Sequence, residues 1–186
     1  FLLTGVAAAA PDDADHRASL VDGLYERGMY DMVVAESEDF LAEYAGHPRS
    51  EVIRYRLASA LFELDRKDEA IEHFEFLGER PGFSYRAEAS LRLGQCELEA
   101  GRLNRAYKAL ERVLELDADY LEVPATFLMA EVDFQRGRFE EAEPRYRSVL
   151  KSDPEGDFGL DAASSLAWCA YRLGKYDKAV EYANTI

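Results

Sequence analysis

Small residues occur along this chain in pairs, and the pairs return at a fixed period. Val21/Val33, Ala58/Ala70, Gly94/Ala106, Ala130/Ala142 and Ala167/Ala179 each stand 12 residues apart, and each pair follows the last after 36 or 37 residues. A period of this size confines the chain to a stack of like units, because one unit is too small to bury its own apolar face. Seven residues after the first member come Gly28, Asp65, Gly101, Gly137 and Gly174. Glycine suits the left-handed residue that closes one helix and lets the chain turn at once into the next. Leu20, Leu57, Leu93, Met129 and Leu166 precede the first small residue, and Tyr30, Lys67, Leu103, Phe139 and Tyr176 follow the turn. Phe40-Leu41, Val113-Leu114 and Val149-Leu150 fall late in the second helix, and Asp153-Pro154 supplies a stop. Two short antiparallel helices cross closely only where their side chains are small, so the expected unit is a helix hairpin and the expected class is all-α.

The segment Leu166-Ala167…Gly174-Lys175-Tyr176-Asp177-Lys178-Ala179 resembles the tetratricopeptide repeat, and the resemblance extends over nearly everything after Pro11. It implies an α-α superhelix, a solenoid of stacked hairpins in frames 14–47, 51–84, 87–120, 123–156 and 160–186, the last incomplete. The step is longer than the family's usual spacing of about 34. The extra residues lie between hairpins, around Gly46–Ser50, Pro81–Phe83 and Glu155–Asp157. With the phrase Phe40-Leu41-Ala42-Glu43-Tyr44 and Pro48, this spacing is similar to that of repeats in bacterial envelope proteins. These are the Tol-Pal-associated periplasmic repeat proteins and the outer-membrane assembly repeat lipoproteins. Two features depart from those groups. No coiled coil precedes the first repeat, and Val6 stands after Leu3-Thr4-Gly5 where the lipoproteins carry an anchoring cysteine.

Phe1–Ala10 is an apolar run closing in small residues before Pro11-Asp12-Asp13, so residues 1–13 read as the remnant of a secretory leader and a short linker. Cleavage after Ala8 or Ala9 fits, and a periplasmic location is the expectation. A cytoplasmic location is the alternative, with this start a genuine helix. The run is too short to span a bilayer, so no transmembrane segment is expected. At the other end Val180, Ala183 and Ile186 form an apolar stripe suited to a further repeat or a capping helix after Ile186.

Asp and Glu number 37 against 22 Lys and Arg, a net charge of −15. Such a surface repels phosphate backbones and anionic membranes, which argues against nucleic acid. A protein partner with basic residues fits the charge.

The resemblance implies that partners bind on a concave face lined by the first helix of each hairpin. Positions three before and four after the first small residue lie on the shoulders of the packed stripe. They include Tyr25, Tyr55 and Phe62, Leu91 and Leu98, Phe127 and Phe134, and Tyr171, with Trp168 one residue after Ala167. Acidic residues flank them, Asp22 and Glu131 among others. The surface so described is an aromatic groove with acidic edges, suited to a peptide or helix bearing apolar and basic side chains. The same spacing also fits residues that pack against the next hairpin.

Signals for catalysis are sparse. No GxxxxGK[ST], GxSxG or HExxH occurs, and His16, His47 and His73 occupy different places in the repeat. Cys96 and Cys169 share one column two repeats apart, too distant for a disulfide, and read as small core residues. Asp153, Glu155, Asp157 and Asp161 alternate as calcium ligands would, but Gly159 and Ser164 stand out of register with such a loop. No enzyme, cofactor or metal is expected. The leading expectation is an exported, non-enzymatic scaffold, with a cytoplasmic adaptor or the repeat arm of a larger enzyme as alternatives.

Overall fold

A computed structural model describes residues 11–116 and 118–184. The leader reading at Phe1–Ala10 and the contribution of Ile186 to the terminal stripe lie outside the described residues. Among those described there are ten α-helices, one short 3-10 helix and no strand.

The helices are α1 (Pro11–Glu26), α2 (Tyr30–Glu43), α3 (Ser50–Glu63), α4 (Lys67–Gly78), α5 (Arg86–Glu99), α6 (Leu103–Glu115), α7 (Glu122–Gln135), α8 (Phe139–Ser152), α9 (Asp157–Arg172) and α10 (Tyr176–Ala183). Each hairpin frame therefore holds two helices, and each first helix begins one to three residues ahead of its frame. The chain divides between Leu77 and Gly78 into two compact units. The first contains α1 to α3 and α4 up to Leu77, and the second contains α5 to α10.

The turn column behaves as its residues dictate. Gly28, Gly101, Gly137 and Gly174 have φ between 68° and 73°, and Asp65, in the same column, has φ 60°. At the third turn Gly101 N–H donates to the Leu98 carbonyl at 2.9 Å and Arg102 N–H to the Glu97 carbonyl at 2.8 Å. The same two bonds recur at the other four turns, and they satisfy carbonyls that the helix end would leave bare. Aspartate tolerates this backbone better than most residues, and Lys67 Nζ lies 2.8 Å from its carboxylate.

In the first unit Ala18, Val21, Leu57 and Ala58 of the first helices are buried with Val33, Phe40, Ala70 and Phe74 of the second helices. Asp22 of α1 takes Arg49 and, at 3.1 Å, Arg56 of the next hairpin. The second unit is layered. Helices α5, α7 and α9 pack in succession, each against its own partner α6, α8 or α10. Leu98, Ala106, Leu110, Met129 and Val132 form one core cluster. Ala130, Ala142, Tyr146, Val149, Ala162, Leu166 and Cys169 form another. The glycine at Gly94 has a packing reason. A methyl group there would meet Leu110 Cδ2 at 2.6 Å, so α5 and α6 touch at this point. Gly159 is similar, since a methyl group there would lie 1.7 Å from the Asp153 carbonyl oxygen and α9 could not start where it does.

Candidate functional site

Helix α9 divides cleanly into two faces. Ala162, Ala163, Leu166, Cys169 and Ala170 are buried, while Ser164, Trp168 and Tyr171 repeat at four and three residues along the opposite stripe. Trp168 is 61% exposed and Tyr171 54%. Their rings meet edge to face at 6.1 Å, and Tyr176 of α10 continues the series at 5.7 Å from Tyr171. Beside the rings of Trp168 and Tyr171 lies a pocket of about 510 Å³ lined by Ser164, Ala167, Trp168, Tyr171 and Ala183. Two alanines on facing helices create the hollow, because larger side chains there would fill it. Val180 of α10 extends the apolar surface. The hydroxyl of Ser164 donates to the Leu160 carbonyl at 3.2 Å. The rings of Trp168 and Tyr171 and the methyl groups of Ala167 and Ala183 give the pocket an apolar lining with exposed aromatic faces.

The other shoulder residues are spent on the protein itself. Tyr25 stacks edge-on with Tyr30, and the Arg56 guanidinium covers it at 4.7 Å. Tyr55 packs on buried Phe74, and Phe62 is covered by Lys67 at 5.5 Å. Leu91 is half-buried between two core clusters. Leu98 leaves the set available to a partner. It is 6% exposed, because Met129 and Val132 of the next hairpin occupy its face. Phe127 sits among Tyr146 and Phe158 at 5.9 and 5.5 Å, and Phe134 against Phe139 at 5.3 Å. Glu131 is also engaged internally. Its Oε1 accepts the hydroxyls of Tyr146 at 2.5 Å and Ser165 at 3.2 Å, tying α7 to α8 and α9. With Asp22 held by Arg49 and Arg56, two members of the expected acidic edge are structural ties.

Sequence reasoning passed over three buried carboxylates in the second unit. Glu97 has no exposed surface and pairs with Arg102 and Arg105. Asp133 pairs with Arg145 at 2.6 Å, and Arg145 also donates to the Tyr107 hydroxyl at 3.0 Å. Burial pushes Asp133 up from the ordinary carboxylate range, against the pull of Arg145 and Arg136. Glu143 behaves oppositely. The Lys175 ammonium at 2.7 Å, with Arg147 beside it, holds its carboxyl below the usual value. A sequence signal existed for the cations. The residue after each turn glycine is Arg102, Arg138 or Lys175 in this unit, and Arg66 follows Asp65 in the first.

Cys96 and Cys169 are buried thiols, and burial first, then Glu143 and Glu131, push the Cys169 thiol up to about 12. Burial and its bond to Glu131 also raise the Tyr146 phenol. Among the described residues no three His, Cys, Asp or Glu side chains converge as metal ligands would. No described helix is long and apolar enough to cross a membrane.

Comparison with known proteins agrees with this architecture. A tetratricopeptide-repeat family model matches residues 55–120 and 127–186. A CTR9 homologue of Arabidopsis thaliana is 39% identical over 88 residues, which are 46% of this chain and 8% of that protein. The chain therefore spans a small part of that relative's length. Among solved structures, MamA of Desulfovibrio magneticus RS-1 superposes with a TM-score of 0.80 at 19% identity, covering 95% of this chain and 94% of that one. A kinesin-light-chain repeat structure of Podosopora anserina gives 0.69 at 19% identity, covering 95% and 94%. Identities this low speak for the fold alone. The matched regions take in more than half of the residues and hold the paired small residues and turns of the second to fifth hairpins, and the chain belongs to the tetratricopeptide-repeat family.

Proposed function

We propose that this chain is a non-enzymatic scaffold that binds a protein partner on the aromatic face of α9. The partner is a peptide or helix with apolar and basic side chains. One observation carries the reading: Trp168 and Tyr171 remain mostly exposed around a 510 Å³ pocket, while the equivalent residues of the other hairpins are packed or tied. Exposed aromatic anchors are the residues from which interfaces draw most of their energy. The net charge of −15 supports a basic partner.

The chain has a single tryptophan, so its emission reports on the site directly. Affinity capture should retain a partner that shifts Trp168 emission to the blue on binding. That partner should be lost with a Trp168→Glu/Tyr171→Glu variant that stays helical by circular dichroism. Equal retention by the variant would remove the α9 face from consideration. Phe127→Glu is unsuitable as a test, because its ring packs on Tyr146 and Phe158.

The same proposal places the scaffold outside the cytoplasm, in an envelope complex, supported by the composition of Phe1–Ala10. Fractionation of the tagged full-length gene product should recover it from the periplasm, with a mature N-terminus at Ala9 or Ala10. A cytoplasmic product keeping Phe1–Ala10 would sink the export reading and leave the binding site standing.

A further inference from the structure

Two columns of the repeat set how far each hairpin fills its outer face with its own side chains. They lie three residues before the first small residue and four after the second. The first hairpin has Ala18 and Ser37 there, the second Tyr55 and Phe74, the third Leu91 and Leu110, the fourth Phe127 and Tyr146, and the fifth Ser164 and Ala183.

The helix laid over a hairpin answers this pair with one residue of its own, five before its small residue. Where the pair is large, the answer is small. Helix α9 brings Ala162 into the cluster that holds Tyr146 and Phe127, and α7 brings Ala125 into a cluster with Leu91. Where the pair is small, the answer is large. Helix α3 packs against α1 and α2 and carries Ile53 at that place, and Ala18, Ser37 and Ile53 all lack exposed surface. Protein interiors pack to a nearly constant density, so volume that a hairpin omits has to come from the helix covering it.

The fifth hairpin has a small pair and no described helix over it. Ser164 and Ala183 both line the 510 Å³ pocket, beside Trp168 and Tyr171. The hollow corresponds to the space that the rings of Phe127 and Tyr146, 5.9 Å apart, fill one repeat earlier. A second copy stacked head to tail would bring α1, whose answering residue is His16, exposed and polar, so this chain does not supply the missing side chain.

We propose, resting on the reading of the α9 face as the binding surface, that its occupant is an α-helix of a partner protein. It lies over α9 and α10 as α3 lies over α1 and α2, and it inserts one apolar side chain of isoleucine size or larger between Ser164 and Ala183.

Helix α3 supplies the probe, a synthetic peptide of residues 50–63 in which Ile53 is the filling side chain and Arg54 and Arg56 stand close by. Amide chemical shifts of the full chain are titrated with this peptide and with its Ile53→Ala version. The parent peptide should shift residues 164–183 saturably, and Ile53→Ala should weaken binding about tenfold. Ser164→Phe/Ala183→Tyr restores a large pair at accessible positions and should reverse the order, so that the alanine peptide binds more tightly than the parent. A variant that had lost its fold would give no such reversal, and circular dichroism checks that it stays helical. Absence of saturable shifts with the parent peptide, equal affinity of both peptides, or an unreversed order in the filled variant overturns the proposal. Shifts of the same residues that depend on protein concentration without peptide would make a second copy the occupant and overturn it also. A captured partner lost with Trp168→Glu/Tyr171→Glu but held undiminished by Ser164→Phe/Ala183→Tyr would overturn the inserted helix and leave the α9 face standing. A partner held by both variants would remove the face itself.

Discussion

Ala130 and Ala142, the small pair of the fourth hairpin, have no exposed surface, whereas Ala167 and Ala179, the same pair in the fifth, stay partly open. The difference extends across their columns. Phe134 is half-buried and Tyr171 is 54% exposed; Glu131 is tied by two hydroxyls and Trp168 is 61% exposed; Glu143 is buried and Val180 is 62% exposed. The local sequence logic of the two hairpins is the same, so the helices cannot be the cause. What differs is a neighbour. Helix α9, with Tyr182 of α10, covers the fourth hairpin, and no described helix covers the corresponding face of the fifth. A hairpin fixes its own turn and crossing, and the next hairpin decides how much of its surface remains for a partner.

The sharpest test of this comparison sets the two faces of α9 against each other. Leu166→Ala, at a fully buried side chain, should cost about 2–5 kcal/mol in urea unfolding. Trp168→Ala, two residues on, should change stability by no more than about 0.5 kcal/mol. A Trp168→Ala loss as large as that of Leu166→Ala would show that the exposed face is core. Next in size is Gly94→Ala, where the new methyl meets Leu110 at 2.6 Å. It should destabilise by about 1–3 kcal/mol, although alanine fills the same column in three other repeats.

Gly137→Ala isolates the backbone, since nothing lies within 4 Å of the added methyl and the strain comes from φ 73° alone. A loss of about 1–2 kcal/mol in melting experiments is expected, and a neutral outcome would mean the turn relaxes. The smallest effect is in pH dependence. The folded pKa of Glu143 is depressed below the ordinary 4.5 by Lys175. Its stabilisation is therefore complete above that value and declines as pH falls through the folded pKa. Asp133 has the opposite sign, because burial raises its folded pKa above 3.8 and folding there favours the protonated form. Glu143→Gln should flatten the acid limb of the stability profile, and Asp133→Asn should steepen it. Identical profiles for both variants would refute the assignment.

The fold was legible because its determinants are local or periodic. A left-handed residue is needed wherever one helix closes and the next begins at once, and four glycines and Asp65 mark those places in the text of the chain. Close helix crossing needs small side chains, and the paired columns show them. The candidate surface was legible only in part. Spacing selected Trp168 and Tyr171, which stay exposed, and equally Leu98, Phe127 and Glu131, which the neighbouring hairpin engages.

Helical periodicity reports which way a side chain points and carries no information on what stands opposite it. The sequence by itself therefore determined the hairpin unit, its period, the turn conformation and the acidic character of the surface. Only the tertiary structure decided which aromatics stay exposed and which carboxylates are buried with cations. Those outcomes depend on contacts between residues a whole repeat apart, and the free energy of burial belongs to the pair of surfaces that meet.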